Sequence, residues 1–220
     1  MSFDAALEST ATPSLASPVP SQRTVGTGIA VLERHDRASR QRAPLESFIR
    51  DQFLAHFGAR LCHFMPELLA LRDVDGAVRA VVGCRAAALE PLFLETYTRE
   101  PIEAALARRN GFCVPRERIV EIGSLACRNA TGAVAIVRAL VPHLIQAGFA
   151  WVVFTGADTV MNVFRHLGLS PRAVCPADPK LLGDARHEWG SYYDHDPHVM
   201  AGRIEDGLRA CTPRAARRAQ

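Results

Sequence analysis

The passage from Arg118 to Gly156 constrains the fold more than any other part of this chain. It opens with RIVEIGSLACR (Arg118–Arg128), whose content predicts a strand. Val134, Val137, Leu140, Val141, Leu144 and Ile145 then recur at helical spacing, and Gly148 closes that helix. WVVFTG (Trp151–Gly156) follows as a buried-type strand. Two strands joined through a helix lie parallel in one sheet, because only a long crossover returns the chain to the same edge. The flanking segments follow the opposite rule. Leu68–Arg72 and Val78–Cys84 surround Asp75-Gly76, a hairpin signal that predicts antiparallel pairing. A short strand starts at Gly28, and a helix opened by Pro44 carries Leu45, Phe48, Ile49, Phe53, Leu54 and Phe57 up to Gly58. Further helices are expected over Ile102–Arg109, ended by Asn110-Gly111, and over Thr159–Leu167, ended by Gly168, before a strand-rich end. The expected class is α/β (α+β), a mixed, mostly antiparallel sheet flanked by helices.

Residues 25–210 are expected to form one domain. Residues 1–24, rich in Ser, Thr, Ala and Pro, and the basic stretch 211–220, ending in PRAARRAQ, are expected to be disordered tails. A chain of 220 residues with 48% hydrophobic and 22% charged content buries an ordinary core, which excludes a mostly disordered, collagen-like or coiled-coil molecule. The net charge of +3 does not call for nucleic acid. Lys180 is the one lysine among 26 basic residues. Arginine forks suit carboxylates and phosphates, and an arginine-biased coding preference produces the same skew. Six cysteines without a C-x-x-C pair read as reduced, buried thiols of a cytoplasmic protein. His63 beside Cys62, and His187, His195 and His198, match no zinc spacing, so no metal is expected. The first 22 residues lack Lys and Arg, unlike a signal peptide. The uncharged stretch Ala139–Ala157 is broken by Pro142, His143, Gln146 and Gly148, so no transmembrane segment is expected.

VMNVFRHLGLSP (Val160–Pro171) resembles the helix after the fifth strand of GNAT acyltransferases, often written LYEKLGF. The resemblance implies that Asn162 and Phe164 border the acyl donor. Phe164 occupies the slot of a tyrosine that protonates the leaving thiolate in many of those enzymes, and it has no proton to give. CRNATGAVA (Cys127–Ala135) matches in part the turn that cradles the donor's pyrophosphate. Gly132 and Ala133 are small enough for close approach, Arg128 and Thr131 are donors, and a helix start supplies free N–H groups. Asn129 and Val134 depart from the GNAT pattern, and an ordinary helix start capped by Thr131 reads the same way.

PLFLETYTREPIEAAL (Pro91–Leu106), IVEIGSLAC (Ile119–Cys127), the Trp151–Leu169 segment and WGSYYDHDP (Trp189–Pro197) together resemble the bacterial thermostable hemolysins, over about residues 28–207. That family is similar in turn to GNAT enzymes and to acyl-homoserine-lactone synthases. The resemblance implies a GNAT-like fold and transfer of a fatty acyl group from acyl-CoA or an acyl-carrier protein to a small amine acceptor. It implies Glu121 as base and Ser124, Leu125, Ala126 and Cys127 as the strand segment lining the thioester. Desolvation among Ile119, Val120 and Ile122 would raise the Glu121 pKa; an ion pair with Arg118 or Arg128 is the structural alternative. In WGSYYDHDP, Tyr192 or Tyr193 would replace the acid missing at Phe164, while Asp194 and His195 would orient the amine; capping aspartates and packed tyrosines at a hairpin end are the alternative. Read as a strand, it puts Trp189, Ser191 and Tyr193 on one face and Tyr192 and Asp194 on the other. Glu95, Tyr97 and Trp189 would suit a cationic acceptor, although a helix entry behind Pro101 also explains the acidic run. Cys127 has no histidine near it in sequence and reads as a packed strand thiol. Arg108, Arg109, Arg116 and Arg138 would face an acidic acyl-carrier protein. The family's name instead implies membrane lysis, for which the Pro44–Gly58 helix is the candidate segment. The lost tyrosine also fits a GNAT fold that binds an acyl ligand without turnover.

Overall fold

The structure, a computed structural model, describes residues 31–211. The expected tail 1–24, the start of the first strand before Val31, and the expected tail 211–220 apart from Cys211, which ends the last helix, lie outside the described residues. The described chain runs β1 (Val31–His35), α1 (Arg42–Phe57), β2 (Glu67–Arg72), β3 (Val78–Ala86), the short α2 (Glu95–Thr98) and α3 (Ile102–Asn110). It continues with β4 (Ile119–Cys127), α4 (Ala130–Gln146), β5 (Trp151–Gly156), α5 (Asp158–His166), β6 (Arg172–Pro176), β7 (His198–Arg203) and α6 (Ile204–Cys211). The strands form one sheet in the order β1-β2-β3-β4-β5-β7-β6. Only β4 and β5 pair in parallel, with α4 as their crossover, and the other neighbours are antiparallel.

Strand alternation gives the sheet two different covers. On one face Leu69, Leu71, Val82 and Val120 meet Ile136, Leu140 and Leu144 of α4, with Ile204 of α6 alongside. On the other, α1 lays Leu45, Ile49 and Phe53 over Leu68, Ala70 and Val81. Beside it Leu94, Ile102 and Leu106 cover Ile119, Val153 and Val199. Each such fully buried aliphatic side chain contributes roughly 2 kcal/mol relative to exposure. α1 is thus committed to the core. Two expected face residues are corrected: Leu54 and Ile145 are exposed, at 52% and 38%.

The C-terminal third departs furthest from expectation. The expected strand-rich end supplies β6 and β7, but between them lie 3-10 turns over Pro179–Trp189 and Tyr192–His195, and α6 closes the described chain. WGSYYDHDP is therefore not a strand, and the alternating faces expected for it do not exist. β7 already has β5 and β6 on its two sides, so this segment does not pair with the strand that follows it. It is fastened instead to the end of α1, where the Ser191 N–H donates to the Phe57 carbonyl (2.8 Å) and the Arg60 N–H to the Glu188 carbonyl (2.6 Å). The thiols are also less buried than expected. Cys84 is buried and Cys127 and Cys175 are half-buried, but Cys62 and Cys113 are exposed, and these five are free.

Candidate active site

β4 and β5 part company within their length. Their pairing runs from Ile119↔Trp151 to Ile122↔Phe154, after which β4 follows β3 alone and β5 follows β7. The cause is a bulge: Ser124 and Leu125 together oppose Val82, between the pairs Gly83↔Gly123 and Val81↔Ala126. Ser124 takes up the extra length in the left-handed region (φ 51°), which is uncommon for a non-glycine residue and bends the strand.

On the α4 side the divergence opens a cavity of about 300 Å³. Ile122, Leu125, Val152 and Phe154 wall it from the strands, and Val137, Leu140 and Val141 of α4 roof it. Phe164 of α5 completes the wall, its ring 5.0 Å from that of Phe154. Ser170, Arg203 and Asp206 supply the polar groups of the lining. Of the expected donor-binding residues, Leu125 and Phe164 line this cavity. Asn162 is exposed and accepts from Arg165 (2.7 Å).

The expected phosphate turn starts α4. Its cap is Asn129, not Thr131: the Asn129 side-chain oxygen accepts the Gly132 N–H at 2.9 Å. Gly132 is small because β3 passes behind it, and a Cβ there would lie 3.2 Å from the Arg79 carbonyl. Ala133 is buried, Thr131 is exposed, and Arg128 donates to the Val78 carbonyl (2.6 Å). Ala126 packs in the core under α1, and burial pushes the Cys127 thiol up to about 12. At such a pKa a thiolate nucleophile is absent near neutrality.

Glu121 projects from the opposite face, 2% exposed and outside the cavity wall. Its carboxylate accepts the N–H groups of Phe93 (2.9 Å) and Leu94 (3.0 Å), at the entry to α2. The cation beside it is Arg85, its cross-strand partner, 3.8 Å away, and not Arg118 or Arg128. Burial raises the Glu121 pKa to about 7, against the lowering effects of the Phe93 N–H, Arg85 and the Leu94 N–H. Because the folded pKa exceeds the unfolded one, the unfolded chain loses this proton first. Stability contributed here is full below about pH 4.5, falls as pH rises through 7, and then levels off. The loss amounts to roughly 3 kcal/mol. Thermal melts from pH 5 to 8 should therefore show a falling Tm that Glu121→Gln flattens; a variant with the wild-type slope would assign the titration elsewhere.

An aromatic group lies beside Glu121. Tyr97 and Tyr193 share a hydroxyl–hydroxyl hydrogen bond of 2.5 Å, and burial pushes Tyr193 up to about 12. The Tyr192 hydroxyl donates to the Thr155 carbonyl (3.2 Å), just past the last β4–β5 pair. Half-buried Trp189 packs against Phe53, Phe93, Tyr192 and Tyr193. Asp194 and His195 are exposed on the outer side, with His195 against the Phe57 ring. Glu95 is occupied: burial works to raise its pKa, but hydrogen bonds from Arg116 and from the Ile102 and Leu92 N–H groups outweigh it and hold the carboxyl low. Arg116 bridges Glu95 and Glu103, and Arg108 pairs with Glu100, so neither offers a free charge to a carrier protein. Among the described residues, no three His, Cys, Asp or Glu side chains gather to hold a metal, and no helix is long and apolar enough to cross a membrane. Sequence reading missed Arg85, Thr155 and the cavity residues of α4 and α6. The wide apolar stripe of α4 was their one visible signal.

Comparison with known proteins accords with this geometry. The thermostable hemolysin family matches residues 35–208. That is most of the chain, and the chain belongs to this family. LasI, an AHL synthase, superimposes with a TM-score of 0.55 at 12% identity, over 80% of this chain and 91% of LasI. FeeM, an N-acyl amino acid synthase from uncultured soil microbes, gives 0.57 at 10% identity, over 84% and 95%. MesI, a CoA-dependent acyl-homoserine lactone synthase, gives 0.51 at 13% identity, over 82% and 92%. At these identities the likeness establishes the fold, which is the GNAT-like one expected. No curated protein sequence matches the chain.

Proposed function

We propose that this member of the thermostable hemolysin family is an acyltransferase that moves a fatty acyl group from acyl-CoA or an acyl-carrier protein to a small amine, in the cytoplasm. One observation carries the reading: the apolar cavity opens where β4 and β5 separate, with Glu121 and the tyrosines on the other face of the same divergence. An alkyl chain fits a cavity walled by Ile122, Leu125, Val152 and Phe154. The solved structures of similar fold include enzymes named for N-acyl products and one named as CoA-dependent.

In this reading the amine nitrogen attacks the thioester carbonyl carbon, the carbon–sulfur bond breaks, and the thiolate leaves. Glu121 takes the proton lost by the amine. Its two backbone hydrogen bonds leave lone pairs free on each oxygen, and a pKa of about 7 suits a base near neutrality. Tyr192, held at the divergence by Thr155, returns a proton to sulfur in place of Phe164, with Tyr193 as the second phenol. The exposed N–H groups at the start of α4 (Ala130 and Thr131) receive the donor's phosphates. Tyr97 and Trp189 shape the acceptor side, Glu95 holds α2 beneath them, and Asp194 and His195 border its outer rim.

Purified protein given long-chain acyl-CoA and a panel of small amines should release free thiol. Glu121→Gln should lower kcat by roughly 100-fold, and wild-type kcat/KM should rise with pH to a plateau above about 7. Absence of thiol release together with acyl-CoA-dependent thermal stabilisation would identify a binding protein without turnover. Dye leakage from liposomes without any acyl donor would identify direct lysis.

A further inference from the structure

A second cavity, of about 180 Å³, lies under α3 at the other end of β5, away from the divergence. Strand register assembles its floor. Arg172 of β6 pairs with Ala201 of β7, and Ala201 with Val153, two residues along β5 from Trp151, so Arg172, Ala201 and Trp151 share the face that α3 covers. Leu106, Arg109 and Asn110 come down from α3 at helical spacing, and Val174 closes the side.

The lining is chemically one-sided. It holds two arginines and no acid. Arg108, next in sequence, pairs with Glu100, but among the described residues neither Arg109 nor Arg172 has a carboxylate partner. Arg109 also complements the C-terminal dipole of α3, which accounts for one charge and leaves Arg172 unexplained. Asn110 adds a third donor group: its side-chain nitrogen is buried and has no hydrogen-bond partner, a state that costs free energy unless a ligand or water relieves it. Below these donors the surface is apolar, made by Leu106, Trp151, Val174 and Ala201.

We infer that this pocket binds a small organic carboxylate with an apolar or aromatic body. The guanidinium forks and the Asn110 amide would take the carboxylate, and the Trp151 floor would take the body. A bare phosphate satisfies the donors but leaves the apolar floor uncovered. The inference does not depend on the acyl-transfer reading, because it concerns a separate cavity and is tested by binding.

Titration calorimetry on the full chain with phenylacetate, hexanoate, acetate and inorganic phosphate tests it. Phenylacetate and hexanoate are expected to bind at least about tenfold more tightly than acetate or phosphate, and Arg109→Gln or Arg172→Gln should each weaken them about tenfold. Both arginines are exposed, so the variants should melt like the parent. Leu125→Trp, which narrows the first cavity, should leave these affinities unchanged. Three results would overturn the inference: no binding of any carboxylate at 10 mM (about 3 kcal/mol of binding free energy), affinities indifferent to both arginine variants, or phosphate binding as well as phenylacetate.

Discussion

Gly190→Ala is expected to lower the melting temperature by roughly 6–12 °C, or at least about 3 kcal/mol. Gly190 sits at φ 52°, ψ −128°, a conformation closed to residues with a side chain. A Cβ there would also lie 2.0 Å from the Phe57 carbonyl oxygen and 2.8 Å from the Gly58 carbonyl carbon, both backbone atoms that cannot swing away. Gly183 separates the two causes. Its backbone is nearly the same (φ 57°, ψ −131°), yet nothing lies within 4 Å of the position a Cβ would take. Gly183→Ala should therefore cost only the conformational strain, about 1–3 kcal/mol. The excess in Gly190→Ala measures how tightly Trp189–His195 is fastened to the end of α1. Equal melting temperatures for the two variants would mean that this fastening carries no stability. The aromatic group should loosen with it, so near-ultraviolet circular dichroism should fall in Gly190→Ala and persist in Gly183→Ala.

Leu125→Trp is the corresponding experiment on activity. Leu125 is the bulge residue that reaches the cavity of about 300 Å³, and an indole there narrows it from the strand side. Turnover of long-chain acyl-CoA should fall on the order of 100-fold in kcat/KM, within the roughly 10–200-fold that displacing a methylene from an apolar pocket costs. A short donor such as acetyl-CoA should lose less than about tenfold, because its acyl group needs little of the cavity. The wall is already open, so overpacking strain should be modest and the melting temperature should move by only a few degrees. Equal losses for long and short donors, with an unchanged melting temperature, would place the acyl chain elsewhere.

Much of this protein is local. The parallel pair β4–β5, its crossover helix, and the β2–β3 hairpin at Asp75-Gly76 follow from periodicity and turn chemistry within a few residues, and their bounds match the expected ones closely. The thermostable hemolysin family and the GNAT-like sheet were equally legible, because the strings around Glu121 and Trp151 resemble that family's. Glu121 could be picked out, but not its environment: its N–H donors lie 27 and 28 residues away and its cation comes across from β3. The Tyr97–Tyr193 pair spans 96 residues. No spacing rule carries such information, since it is set by which surfaces are left after the sheet closes. The segment Trp189–His195 illustrates the limit: its alternation reads as a strand, and only the tertiary structure shows it as a turn fastened to the end of α1. Local sequence chose the elements because backbone hydrogen bonding and side-chain period act over one or two turns. The bulge at Ser124, the two cavities and the sharing of charges among arginines arose from packing, where long-range contacts decide.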